Sequence, residues 1–101
     1  MKYKTTIGVS VELTSERRKH ILSKHPELLG HVSKIKKVLS NPDEIRVSKL
    51  DNQVLLFYKY FDKILEGKHI VVTIKTNERS FVLTVYITDK IKAGEKYEKE
   101  N

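Results

Sequence analysis

The sequence has no cysteine and no tryptophan, one methionine, two prolines and four glycines in 101 residues. Without cysteine there is no disulfide framework, no thiolate metal site and no thiol nucleophile. That composition fits a reducing compartment. No run of residues approaches the apolar length of a membrane span. The start, Met1-Lys2-Tyr3-Lys4-Thr5-Thr6, lacks the apolar stretch and cleavage site of a signal peptide. The expectation is therefore a cytoplasmic protein that does not engage a membrane. Repeats, low-complexity segments and linkers are also lacking. The length suits one domain, residues 1–101, with a modest core. Acidic residues are the minority, 13 against 20 Lys and Arg, which gives a net charge of +7 and a pI near 9.6.

What is present is unevenly distributed. Between Glu16 and Lys37 there are seven cations and only two acids. Such a patch suits nucleic acid or an acidic partner protein. Taken alone, a charge run is better explained as a solvated helical face. The stretch Arg17-Arg18-Lys19-His20-Ile21-Leu22-Ser23-Lys24-His25-Pro26-Glu27-Leu28 adds two histidines to it. Histidine is the side chain whose ordinary pKa lies closest to neutrality, so it suits proton transfer. Neighbouring cations suit a phosphate-bearing substrate.

Periodicity outlines the fold. Residues 2–13 alternate, with Ile7, Val9, Val11 and Leu13 on one face, and predict a half-buried strand. Thr14 or Ser15 is the expected N-cap of a first helix reaching about Lys24. Pro26 ends it, because the residue before proline is pushed out of helical backbone. After Gly30, Val32, Ile35 and Val38–Leu39 recur at helical spacing and predict a second helix over about 31–39. The pattern then turns to period two. Strands are expected at Glu44–Leu50, Gln53–Phe61, His69–Thr76 and Ser80–Thr88, joined by short turns and the 62–68 excursion. Residues 89–101 read as a charged tail that frays. The expected class is α+β, with an N-terminal strand and two helices packed on a four-stranded antiparallel sheet.

One sheet face must be apolar, whereas the other need not be. In the last strand Phe81, Leu83, Val85 and Ile87 are expected to meet the helices. Val82, Thr84, Tyr86 and Thr88 share the opposite face. In the second strand of the meander, Val54, Leu56, Tyr58 and Tyr60 alternate with Leu55, Phe57, Lys59 and Phe61. The less apolar face would thus present hydroxyl, phenol and ammonium groups together. The plainer reading is a solvent face on which Thr and Tyr occur for their β-propensity.

Three pieces taken together resemble a known family. The first is Arg17-x-x-His20-Ile21-x-x-x-His25-Pro26-Glu27-Leu28. The second is Asn41-Pro42-Asp43 followed by Val54-Leu55-Leu56-Phe57-Tyr58-Lys59. The third is Val71-Val72-Thr73-Ile74-Lys75, then Val82-Leu83-Thr84-Val85-Tyr86-Ile87-Thr88 and Ile91-Lys92-x-Gly94. In order and spacing they resemble the phage-associated branch of the barnase–EndoU–colicin–RelE-like nuclease superfamily, over roughly residues 12–95. The resemblance implies a ribonuclease fold that works without metal or other cofactor, in proteins that act as toxins. It also implies RNA as substrate and an acidic antitoxin or immunity protein as partner.

Carried over residue by residue, the resemblance implies catalytic roles for His20, His25, Tyr58 and Thr88. It implies substrate-binding roles for Arg17, Lys59, Thr84 and Tyr86, to which the chemistry of the residues adds Lys24 and Tyr60. Cleavage of this kind needs a base for the ribose 2′-hydroxyl, an acid for the leaving 5′-oxygen and a donor or cation for the phosphoryl charge. The expected product is a 2′,3′-cyclic phosphate. His20 would serve as base or acid. His25 would join it in one cleft once Pro26 has broken the helix. Arg17 would grip a phosphate, and Tyr58 or Tyr60 would donate a hydrogen bond or stack on a base. The alternatives are a non-catalytic RNA-binding or ribosome-associated module, or a basic protein that meets an acidic partner. His31 and His69 read as surface or structural residues.

Overall fold

A computed structural model describes residues 1–90 and 95–97. It is α+β. Two short helices, α1 (Ser15–Lys24) and α2 (Ile35–Ser40), pack on one face of a curled mixed sheet. The strands are β1 (Lys2–Lys4), β2 (Ser10–Glu12), β3 (Glu44–Val47), β4 (Val54–Phe61), β5 (Lys68–Lys75), β6 (Phe81–Thr88) and β7 (Glu95–Lys96). Their order across the sheet is β1-β2-β6-β5-β4-β3-β7. The antiparallel meander β3–β6 is the one expected from periodicity.

The ends depart from expectation. The first strand is broken in two by a tight turn in which Gly8 has φ +86°. Thr5 closes that turn, its hydroxyl donating to Val9 O (2.9 Å) and accepting from Val9 N (3.2 Å). The hairpin joins the sheet through a single parallel pair, Glu12 with Phe81, which makes the sheet mixed. At the other edge Glu95 and Lys96 pair with Val47 and Arg46, so this part of the expected tail is a strand. Ile91, Lys92 and Gly94 lie outside the described residues.

The helices end where their sequence says. Thr14 caps α1 by accepting from Arg17 N at 3.1 Å. His25 closes the last turn by donating from its backbone N–H to Ile21 O, and Pro26 then starts a single 3-10 turn, Pro26–Leu28. The second helix is shorter than expected. Val32–Lys34 form another 3-10 turn before α2 begins. Ile21, Leu28, Ile35, Val38 and Leu39 drop from these segments onto Leu55, Phe57, Ile70, Val72, Ile74, Val82 and Val85. This closed apolar layer is the main source of stability.

The faces of β6 are not as alternation predicted. A bulge falls at Leu83, between the pairs Thr73–Thr84 and Ile74–Val82. One extra residue reverses the side-chain alternation on either side of it. Val82, expected on the polar face, is therefore fully buried in the core with Val85. Phe81, expected in the core, lies opposite Lys75 and is only partly buried, as is Leu83. Thr84, Tyr86 and Thr88 keep the face expected of them.

Candidate functional site

The sheet face turned away from the helices is built in rows, because directly opposed residues in an antiparallel pair share a face. One row runs Arg46, Leu56, Thr73 and Thr84. The next runs Glu44, Tyr58, Val71 and Tyr86. The third runs Tyr60, His69 and Thr88. Leu56, Tyr58 and Val71 form a second small buried cluster, with Val54 and Tyr86 packed beside it. This face therefore has an apolar floor of its own under its polar groups.

The middle row leads to the helices. At the β6 edge His25 lies against Tyr86, with ring centroids 6.2 Å apart. Pro26 makes this possible by forcing His25 out of α1 to φ −131°, ψ 69°. The Glu27 carboxylate stands 3.5 Å from His25 Nδ1. Tyr86 packs beside Tyr58. Burial, followed by the influence of the neighbouring Tyr58 phenol, pushes the Tyr86 phenol up to about 12. Tyr86 thus remains a hydroxyl donor at neutral pH. Tyr58 is 1 % exposed, so it supports Tyr86 from beneath and does not reach a bound molecule itself. Beyond Tyr58 stands His69, in edge contact at 6.3 Å, and His69 meets Tyr60 at 5.4 Å.

The other expected site residues are placed as follows. His20 is exposed and lines a shallow depression with Thr14, Glu16 and Arg17, near the start of β6. Arg17 also lines a groove with Arg79, Ser80 and Phe81. Of His20 and His25, the one grouped with the phenols of the open face is His25. Lys24 is exposed in the last turn of α1, next to His25. Lys59 lies on the helix-covered face, with its ammonium 3.5 Å from Asp43 Oδ1. The other Asp43 oxygen accepts from Tyr60 N at 2.7 Å, so Asp43 holds two consecutive residues of β4. Lys75, the ammonium on the open face, is paired with Asp51, and this hydrogen bond holds the Asp51 carboxyl below its ordinary range. The Thr88 hydroxyl donates to Lys90 O at 3.3 Å, a local turn contact. Thr84 stands beside Thr73, whose hydroxyl oxygen is buried with no partner. No group of three or more His, Asp or Glu capable of holding a metal occurs among the described residues.

Two residues of this site were not assigned to it by sequence reasoning. Glu27 was visible only as part of the His25-Pro26-Glu27 turn. His69 was treated as structural, although the β4–β5 hairpin register places it directly beside Tyr60. A two-residue alternation gives the face of a residue, and only the register of the hairpin gives its neighbour.

No protein-family model, no curated protein and no solved structure matches this chain. No helix among the described residues is long and apolar enough to cross a membrane.

Proposed function

We propose that this protein is a metal-independent endoribonuclease with toxin-like activity, acting on RNA at the open sheet face. The observation that carries the proposal is the placement of His25, with Glu27 behind it, against the protonated phenol of Tyr86. His25 Nε2 takes the ribose 2′-hydroxyl proton. The 2′-oxygen then forms a bond to phosphorus, and the bond from phosphorus to the 5′-oxygen breaks. Solvent water at the open face protonates that oxygen and the proton on His25 passes back to solvent, leaving a 2′,3′-cyclic phosphate. Tyr86 donates a hydrogen bond to the phosphoryl oxygen as charge builds there. Tyr58 positions Tyr86. Glu27 orients His25.

The net charge of +7 and the basic segment 17–37 supply attraction for the RNA backbone. Arg17, His20 and Lys24 act there as backbone contacts. The motif resemblance of Arg17-x-x-His20 and His25-Pro26-Glu27 to the barnase–EndoU–colicin–RelE-like nucleases points the same way.

Incubating purified protein with mixed RNA in EDTA, followed by end-group analysis, tests the proposal. Cyclic-phosphate ends are expected, with the rate falling about a hundredfold or more in His25→Ala. Intact RNA together with salt-sensitive binding would establish the non-catalytic RNA-binding alternative instead. Failure to bind RNA at low salt, with capture of an acidic partner, would leave only the partner-binding reading.

A further inference from the structure

We propose that Tyr60 and His69 form a nucleobase subsite, one row along the sheet from His25 and Tyr86, which takes the base of a nucleotide adjacent to the bond being cleaved. The location rests on the ribonuclease reading. The subsite itself rests on four observations.

First, Tyr60 is an aromatic side chain left 48 % exposed on a face where Tyr58 is buried and Tyr86 partly buried. A large exposed ring is what a base stacks upon. Second, the ring is held in place. Its backbone N–H is bound by Asp43, and the ring leans on the edge of His69 at 67°. Its hydroxyl end lies over Gly67, where an added Cβ would sit 2.0 Å from the oxygen. Gly67 has φ +104°, and Leu65 and Glu66 before it also have positive φ. The loop thus takes a costly backbone path that leaves room for the tyrosine. A held ring loses little freedom when a base stacks on it.

Third, His69 supplies a polar edge. Its Nδ1 is buried with no hydrogen-bond partner among the described residues. Nε2 is then the ring nitrogen left to donate to a ring nitrogen or carbonyl oxygen of a base. Fourth, the pair adjoins the proposed site. Tyr58 links the two, meeting His69 edge-on at 6.3 Å and packing beside Tyr86.

The test uses tetranucleotides carrying 2′-O-methyl groups, which cannot be cleaved. Each is compared with versions that lack the base at one position in turn. Affinity is read by fluorescence anisotropy. For the wild-type protein, removing the base at one position is expected to weaken binding about tenfold. Tyr60→Ala should weaken the intact tetranucleotide equally and leave the abasic one unchanged. Tyr60→Phe should retain stacking, and His69→Phe should bind with reduced preference among the four bases. Equal affinity for all abasic versions, or an equal loss by Tyr60→Ala on intact and abasic tetranucleotides, overturns the subsite. If RNA is still cleaved in EDTA when that happens, the ribonuclease reading stands without it. If no tetranucleotide binds at low salt, both fall.

Discussion

Tyr86 offers a stringent test of the site geometry, because its environment has a thermodynamic consequence that needs no substrate. Its phenol is raised from an ordinary value near 10 to about 12, chiefly by burial and then by Tyr58. In the unfolded chain the phenol loses its proton as pH passes 10, while in the folded protein it holds the proton until about 12. The contribution to stability is therefore fully present below pH 10 and is lost as pH rises through 12. Two pH units correspond to at most about 2.7 kcal/mol. Tyr86 is only partly buried, so solvent screening reduces this to about 1–2 kcal/mol. Urea denaturation of the wild type and Tyr86→Phe, compared from about pH 9 to about pH 12, isolates the effect, since the other titrating groups are common to both. The stability of the wild type relative to the variant should fall by that amount across the interval. Tyr58→Phe should bring the Tyr86 titration, followed by tyrosinate absorbance, back toward 10. A wild-type-to-variant gap that does not change with pH would refute the burial of Tyr86 against Tyr58. With it would go the reason for treating Tyr86 as a fixed hydroxyl donor.

Other perturbations address the fold beneath the site. Val82→Ala should destabilise the protein by about 2 kcal/mol, whereas Leu83→Ala should cost less than about 1 kcal/mol, because the bulge puts Val82 and not Leu83 in the core. Denaturation midpoints of the two variants read this directly, and the reverse order would place the bulge elsewhere. Thr14→Ala removes the cap that accepts from Arg17 N and should cost about 1 kcal/mol, seen as lower helical circular dichroism and a lower midpoint. Gly67→Ala meets both a positive φ and the Tyr60 hydroxyl, and should cost about 1–3 kcal/mol while shifting the Tyr60 and His69 ring resonances. Unchanged ring resonances in that variant would contradict the contact between Tyr60 and Gly67.

By itself the sequence determined the elements and much of what stops them. Thr14 and Pro26 delimit α1 by local chemistry, a hydroxyl acceptor at one end and a blocked helical conformation at the other. The meander from Glu44 to Thr88 follows from alternation, and the excess of cations in residues 17–37 is countable without a fold. Tertiary structure decided what those elements hold together. The bulge at Leu83 depends on how β6 pairs with β5, and it moved Val82 into the core against the alternation. The pairing of Glu95–Lys96 with β3 has no local hydrophobic signal, because a two-residue edge strand is specified by its partner's free hydrogen bonds. His20 and His25 are nearly alike in sequence context. The turn at Pro26 sets only His25 against Tyr86, and the hairpin register alone brings His69 to Tyr60. A side chain's chemistry is local, but its partners are distant in sequence, so the site becomes legible only when register and helix exit are known.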